Sequence, residues 1–208
     1  PNKMPQFETA FDLSTMPPFV VRAGGKKLEG SLINLASNES PFGPSPKVLE
    51  ALAKRQTQLN RYPDMGSVEL RNAIADRFNL ETDRIVCGNG GDTLIHGLAV
   101  AYASNGYEIV YSEFGFIMFR RASLAVNAKP VVVAEDNYTF SVDNALAAVS
   151  DKTRILYIAN PNNPTGTYLD STELLRLREE LPEYVILMID DAYVEYSESL
   201  GAPNALDL

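Results

Sequence analysis

Three short polar segments contain residues whose types and spacing suit ligand chemistry. They are "GNGGDT" at 88–93, "NPNNPTG" at 160–166 and "DDAY" at 190–193. In the first, glycines let the backbone approach a ligand closely, and the first free N–H groups of the helix-like stretch that follows favour an anion. We therefore predict a phosphate site at Gly91, Asp92 and Thr93. The alternative is an ordinary helix start that Asp92 caps.

The second segment places an asparagine directly before a proline. A residue in that position is held out of the α region, so Asn163 has a fixed direction and its amide is available to a ligand oxygen. Asn163–Pro164 is also a candidate for a cis peptide bond. An ordinary strand-to-helix turn is the alternative, but such a turn could be shorter. We interpret this loop as functional.

The third segment begins with Asp190, which follows the wholly apolar run "VILMI". Burial of an unpaired carboxylate is costly, so Asp190 is either a helix cap or the partner of a buried cation. A protonated aromatic ring nitrogen is a suitable cation. Tyr193, three residues further on, could then donate a hydrogen bond to another substituent of the same ring.

Short runs rich in valine and isoleucine alternate with helix-like stretches beyond residue 83. The apolar runs are 84–88, 107–112, 129–135, 154–159 and 184–190, and the helix-like stretches are 91–104, 115–127, 142–149 and 170–181. The runs barely alternate polar with apolar residues, which is typical of strands covered on both faces. This pattern predicts an α/β fold with a mostly parallel sheet and helices on both faces. Ligands bind beyond the carboxyl ends of such strands, so the three polar segments should open on one edge.

The N-terminal part of the chain has a different character. Residues 1–45 are rich in proline and show little periodicity, which predicts an extended N-terminal arm. An amphipathic segment at 46–59 and a second helix that Ser67 caps follow it. Residues 46–208 would then form one large domain.

Composition excludes several classes of partner. The net charge is −9 and no basic cluster is present, so we predict no nucleic-acid partner. The run at 185–189 is far shorter than the roughly 20 residues of a membrane span, and we predict no membrane association. Cys87 is the only cysteine and no secretory pattern begins the sequence, which favours the cytoplasm. We predict no metal site.

Five segments in order resemble one known family. They are "LASNESPFGPSP" (35–46), "NRYPDMGSVELRNAIA" (60–75), "GNGGDTLI" (88–95), "NPNNPTG" (160–166) and "DDAYVEY" (190–196). The chain resembles the fold type I pyridoxal-phosphate aminotransferases of class I/II, and among these the histidinol-phosphate aminotransferases. The resemblance extends over about residues 18 to 200.

The resemblance implies a role for each matching residue toward pyridoxal 5'-phosphate. Gly91 and Asp92 would bind the cofactor phosphate, with Thr93 nearby. The pyridine ring would stack on Phe116, the ring hydroxyl would bond to Asn163 and Tyr193, and the ring nitrogen would pair with Asp190. Tyr62 would reach the cofactor phosphate in the neighbouring subunit of a homodimer. An ordinary core residue and an ordinary turn residue are the alternatives for Phe116 and Tyr62.

Two departures from the family pattern affect the expected activity. The lysine that carries the cofactor would lie beyond Leu208, as would the C-terminal small domain. The chain therefore resembles an N-terminal fragment with an incomplete large domain, and we expect it to be inactive alone. Phe19 stands where histidinol-phosphate enzymes tend to have a tyrosine near the substrate.

The resemblance implies pyridoxal-phosphate-dependent transamination between a small-molecule amino donor and a 2-oxo acid, with histidinol phosphate and 2-oxoglutarate as the expected pair. Alternatives are a threonine-phosphate decarboxylase, another class I/II aminotransferase, a non-catalytic nucleotide-binding α/β module or a scaffold without cofactor. The nucleotide-binding module would need a third glycine where Thr93 stands.

Overall fold

The computed structural model describes Met16 and residues 37–208. The described residues fall into two compact units, the first made of 37–87 and the second of Met16 with 88–208, and each is described by these residues in turn. Most of the predicted N-terminal arm, including Phe19, lies outside the described residues.

The first unit contains two helices. They are α1 (Pro46–Arg55) and α2 (Val68–Phe78), with 3₁₀ turns at Gln56–Gln58 and Thr82–Arg84. The prediction that Ser67 caps α2 is wrong, because Ser67 has a left-handed backbone (φ 48°) and its side chain forms no cap bond. Asp64 accepts the bond instead, from Val68 N at 2.6 Å.

The predicted strand at 84–88 is absent from the described structure. Ile85 has extended backbone angles (φ −108°, ψ 123°), but no described strand pairs with it, and Val86 is 74% exposed. Because a strand exists only where a neighbour satisfies its N–H and C=O groups, local apolar character was insufficient here.

The second unit is built on a four-stranded parallel sheet. Its strands are β1 (Glu108–Ser112), β2 (Lys129–Val133), β3 (Thr153–Ala159) and β4 (Ile186–Asp190), in the order β2-β1-β3-β4. Its helices are α3 (Gly91–Leu98), which continues as a π-helix over Ala99–Ala103, α4 (Ile117–Ala125), α5 (Val142–Ala148), α6 (Ser171–Glu180) and α7 (Val194–Ser197), with 3₁₀ turns at Glu198–Leu200 and Ala205–Asp207. The predicted parallel α/β fold is confirmed.

Both faces of the central strands β1 and β3 are buried, as the apolar runs predicted, whereas β2 and β4 are partly exposed. On one face, Ile109, Ile155 and Tyr157 pack with residues of α3 and α4. The opposite face joins Val110 and Leu156 to residues of α5 and α6. Adjacent residues of one strand thus enter opposite cores, because side chains alternate across a sheet.

The direction of the connections reverses between β1 and β3. From β1 the chain passes through α4 to β2 on one side, whereas from β3 it passes through α6 to β4 on the other. Right-handed crossovers in opposite directions require their helices to lie on opposite faces, as observed for α4 and α6. The loops after β1 and β3 therefore diverge and leave a crevice at the carboxyl edge, where ligands bind in such sheets.

The helices of the described residues are short, and α1, α5 and α6 begin after a residue whose side chain caps the helix. Asp170 with Glu173 three residues later has the sequence pattern of a capping box, and the Asp170 carboxylate does cap α6 by accepting a bond from Glu173 N at 3.0 Å. The reciprocal bond from Glu173 is replaced by a pair with Arg176. Among residues 37–208 there is no helix with the length and apolar character needed to cross a membrane.

The opposite edge of the sheet carries a buried carboxylate. Glu108 begins β1, and its two oxygens accept bonds from Lys129 Nζ at 2.8 Å and from Ser150 Oγ at 2.6 Å. The Lys129 ammonium and the Ser150 hydroxyl hold the pKa of Glu108 below its ordinary 4.5, while burial opposes them. The network joins the starts of β1 and β2 to the turn before β3.

We expect Glu108→Gln to lower the free energy of unfolding by about 1–3 kcal/mol at pH 7, the range for hydrogen bonds to charged groups. A lowered folded-state pKa stabilises the fold above pH 4.5 and this stabilisation is lost as pH falls through the folded-state pKa. The difference between the two proteins should therefore shrink in acid. Urea unfolding at pH 7 and pH 3.5 measures it, with exposed Glu183→Gln as control. A difference independent of pH would contradict this account.

Candidate functional site

Three loops meet at the carboxyl edge of the sheet where the connections reverse. They follow β1, β3 and β4 and contain residues 113–116, 160–167 and 191–193. Ala159 pairs with Asp190 in the sheet, and Asn160 N donates to the carbonyl of Asp190 at 3.0 Å. Two of the three predicted polar segments therefore begin side by side.

Asn160 anchors the loop that follows β3. Its side chain is 1% exposed, and its Oδ1 accepts from Leu169 N at 2.7 Å while its Nδ2 donates to the carbonyl of the same residue at 3.4 Å. These bonds tie the start of the loop to the residues before α6. Asn160 thus has a structural role that the sequence did not predict.

Asn162 connects this loop to the one after β1. Its Nδ2 donates to the Phe114 carbonyl at 3.0 Å and to Thr165 Oγ1 at 2.9 Å. An amide nitrogen carries two protons, and these two bonds engage both of them. Backbone bonds from Asn162 N to Thr167 O and from Gly166 N to Asn162 O, each 2.9 Å, close the loop on itself.

Asn163 differs from its two neighbouring asparagines. It is half-buried, and its side chain forms no hydrogen bond with any residue of 37–208. The predicted cis bond at Asn163–Pro164 is confirmed, and Asn160–Pro161 is cis as well. With Asn160 and Asn162 holding the loop, the Asn163 amide is available to a ligand.

Asp190 ends β4 as a partly buried carboxylate. Burial raises its pKa, the bond that its Oδ1 accepts from Ala192 N at 3.1 Å lowers it, and the nearby charge of Asp92 raises it. Within residues 37–208 no lysine or arginine forms an ion pair with it. The carboxylate therefore lies where a cation would stabilise its charged form.

Asp92 places the start of α3 near the same edge. The N-cap residue of α3 is Gly90, whose backbone has φ 81° and which offers no side-chain cap. Thr93 N donates to the Gly90 carbonyl at 3.2 Å, whereas the N–H groups of Gly91 and Asp92, at the first turn of the helix, have no acceptor inside it. Gly91, Asp92 and Thr93 are all exposed. The alternative that Asp92 simply caps the helix is not what the structure contains.

The two phenylalanines after β1 lie in different environments. Phe116 precedes α4, and its ring meets Phe119 edge-on at 5.9 Å in the core that also holds Tyr157. Phe114 lies two residues after the end of β1 and is 42% exposed, and its carbonyl accepts the Asn162 bond. Phe114 is therefore an exposed aromatic ring at this edge, beside the exposed Tyr138 ring, and the sequence did not indicate it.

The two predicted tyrosines lie in separate units. Tyr193 is half-buried at the start of α7, three residues after Asp190. Tyr62 belongs to the first unit and is 97% exposed. The structure thus brings Asn163, Asp190, Tyr193 and the start of α3 to one edge, and leaves the role of Tyr62 a prediction.

The edge combines three kinds of group that suit one type of ligand. Free helix N–H groups favour an anion, a carboxylate without a cation favours a protonated ring, and an unengaged amide favours a ring oxygen. Such an edge defines the class of fold as a parallel α/β sheet that binds ligands beyond the carboxyl ends of its strands. Comparison with known proteins identifies the family.

Residues 30–205 match the family described as aminotransferase class I and II. The chain belongs to this family. It is 50% identical over 165 residues to the histidinol-phosphate aminotransferase of Rhodospirillum centenum, and the aligned region covers 79% of this chain and 46% of that protein. It is 49% identical over 181 residues to the enzyme of the same name from Paramagnetospirillum magneticum, covering 86% and 49%.

Solved structures show the same likeness. The histidinol-phosphate aminotransferase from Sinorhizobium meliloti in complex with pyridoxal-5'-phosphate superposes with a TM-score of 0.76 at 28% identity, over 80% of this chain and 46% of that one. The alanine aminotransferase from Pyrococcus furiosus shares the fold, with a TM-score of 0.68 at 22% identity over 74% and 42%. The chain spans about half the length of the curated relatives it matches.

Asn160 and Asn163 should respond differently to truncation. We expect Asn160→Ala to lower the free energy of unfolding by about 2–3 kcal/mol, because it leaves buried backbone groups of Leu169 unsatisfied. Asn163→Ala should change it by less than about 0.5 kcal/mol, since no bond to the described residues is lost. Urea unfolding without added ligand measures both. Equal destabilisation by the two variants would contradict the separate roles.

Proposed function

We propose that residues 46–208 supply the cofactor-binding domain of a pyridoxal-phosphate-dependent aminotransferase that transfers the amino group of histidinol phosphate to 2-oxoglutarate. Family membership supports the reaction class, and the two relatives near 50% identity carry the name of that enzyme. The observation that carries the proposal is Asp190, a partly buried carboxylate without a cation partner among residues 37–208, beside an unengaged Asn163 amide.

The residues at this edge fit the chemistry of pyridoxal phosphate. A phosphate would accept bonds from the outward N–H groups of Gly91 and Asp92, with the Thr93 side chain close by. Thr93 Oγ1 itself donates to the Asn89 carbonyl at 3.0 Å, so its hydroxyl proton is engaged within the loop. The ring would be held through its oxygen by Asn163 and Tyr193.

Asp190 would act on the ring nitrogen. A bound cation would lower the pKa that burial raises, so the carboxylate would be ionised and would keep the proton on the nitrogen. Pyridoxal phosphate, when bound, withdraws electrons from the substrate bond that breaks. The protein contributes the orientation of the ring and its state of protonation.

The aromatic ring that packs on the cofactor is proposed to be Phe114. The sequence resemblance suggested Phe116, but that ring packs edge-on against Phe119 in the core. Phe114 lies two residues after the end of β1 and is tied through its carbonyl to Asn162, next to Asn163. Its exposed ring is thus available at the edge where the other groups meet.

The reaction is tested with purified full-length protein and a panel of amino donors. Histidinol phosphate with 2-oxoglutarate should give the highest kcat/KM, and Asp190→Asn should lower it by about 100-fold or more, the usual size for losing one preorganised electrostatic contact. Exposed Asp151→Asn is the matched control and should keep full activity. Glutamate formation measures the rate.

The result also separates the alternatives. Carbon dioxide release from threonine phosphate would identify a decarboxylase, and a faster reaction with another donor would correct the substrate while keeping the class. Full activity of Asp190→Asn would contradict the role of this carboxylate.

We further propose a homodimer in which Tyr62 reaches the cofactor phosphate of the neighbouring subunit. Its 97% exposure supports this, because a tyrosine that packs against its own fold would be covered. A two-fold dimer places the same residue at both sites. A cytoplasmic location stays a prediction.

Mixed dimers test the sharing of sites. Tyr62→Phe should weaken cofactor binding by about 0.5–1.5 kcal/mol, one net hydrogen bond. A dimer of one Tyr62→Phe subunit and one Asp190→Asn subunit should regain one site with both residues intact, measured as activity at limiting cofactor. Activity equal to the mean of the two parents would show that Tyr62 acts within its own subunit.

A further inference from the structure

A closed set of contacts joins the segments that follow β1, β2 and β3. Asn162 Nδ2 donates to the Phe114 carbonyl and to Thr165 Oγ1, at 3.0 and 2.9 Å. The hydroxyls of Thr165 and Thr167 are 2.8 Å apart, and Thr167 Oγ1 donates to the Tyr138 carbonyl at 2.6 Å. The rings of Tyr138 and Phe114, with centroids 5.4 Å apart, complete the circuit.

The Tyr138 carbonyl determines the direction of the hydrogen bonds between the threonine hydroxyls. A carbonyl only accepts, so the single proton of Thr167 points at Tyr138. The Thr165 proton must then point at Thr167, which leaves the Thr165 oxygen to accept from Asn162. Asn162 therefore donates to Thr165, Thr165 donates to Thr167, and Thr167 donates to the Tyr138 carbonyl, so both threonine hydroxyl protons are engaged.

The segment after β2 enters the circuit through a tight turn. Asp136 and Thr139 exchange backbone bonds at 2.9 and 3.0 Å, and the two residues between them, Asn137 and Tyr138, have φ 52° and 64°. This conformation suits asparagine but is uncommon for a bulky residue such as tyrosine. The contacts of Tyr138 with Thr167 and Phe114 offset the cost of that backbone.

We propose that Thr167 is a positioning residue, which acts through Thr165 and Asn162 to hold the Asn163 amide and the Phe114 ring for the cofactor. This inference rests on the proposed function and adds a residue to it. Thr167 touches no reacting group itself. It connects the loop after β3 to the turn after β2, and so limits the movement of both.

Loss of the Thr167 hydroxyl should release all three segments together. Without it the Tyr138 carbonyl loses its donor and Thr165 loses its acceptor, so the Asn162 amide is no longer oriented by a complete set of bonds. Valine has the shape of threonine without the hydroxyl. Serine retains the hydroxyl without the methyl group and serves as the matched control.

Hydrogen exchange of the cofactor-free full-length protein is the first measurement. Thr167→Val should increase the exchange of peptides covering 113–116, 136–139 and 160–167, and leave the strands β1 and β3 protected. Thr167→Ser should exchange like the unaltered protein. Faster exchange confined to 160–167, or equal effects of valine and serine, would overturn the proposal.

The second measurement is the dissociation constant of pyridoxal phosphate in the full-length protein. Thr167→Val should raise it about tenfold, and Thr167→Ser should restore it to within about twofold, the change expected for one hydrogen bond. An unchanged constant in Thr167→Val would overturn the proposal. If the unaltered protein binds no pyridoxal phosphate, the proposed function fails, and the exchange measurement still decides whether Thr167 couples the loops.

The variant Tyr138→Gly distinguishes the contribution of the Tyr138 ring from that of the Tyr138 carbonyl. Glycine accepts the positive φ and keeps the acceptor for Thr167, but it removes the ring that meets Phe114. Exchange should increase at 113–116 and stay unchanged at 160–167. Increased exchange at 160–167 alone would assign the coupling to something other than the hydrogen-bonded chain.

Discussion

The reversal of connection direction between β1 and β3 is the constraint on which the rest of the structure depends. Right-handed crossovers send α4 to one face of the sheet and α6 to the other. The loops after these two strands consequently leave the sheet in different directions. The long loop after β3, with its three asparagines, remains tied to the loop after β1 through the bond from Asn162 Nδ2 to the Phe114 carbonyl.

The three asparagines of that loop divide two tasks. Asn160 and Asn162 have their amides engaged with Leu169, Phe114 and Thr165, so they hold the loop. Asn163 stands between them and the turn without a bond of its own to the described residues. A short turn would satisfy the backbone equally well. The longer loop instead positions the Asn163 amide through the bonds of its neighbours Asn160 and Asn162.

Asp190 shows how a site can be recognised without its ligand. A carboxylate at the end of a buried strand has lost part of its hydration, and its raised pKa reflects that loss. The fold nevertheless keeps the Asp190 carboxylate in this position, because the end of β4 is held beside β3 by the bond from Asn160 N to the Asp190 carbonyl. Such a group is poorly explained as a contribution to stability, and this supports the proposal that it pairs with a cationic ring.

Sequence alone determined the features that depend on local pattern. Apolar runs without alternation identified four strands, of which β1 and β3 are covered on both faces. Asp170 identified the start of α6, and the residues before and after Pro164 identified the loop. Tertiary structure decided the features that need a distant partner. The run at 84–88 has no paired strand among the described residues, Asp64 rather than Ser67 caps α2, and Phe114 is exposed whereas Phe116 is partly buried against Phe119. Thr167 meets Tyr138 across 29 residues, and no local pattern encodes that contact because it exists only once parallel strands align their carboxyl ends.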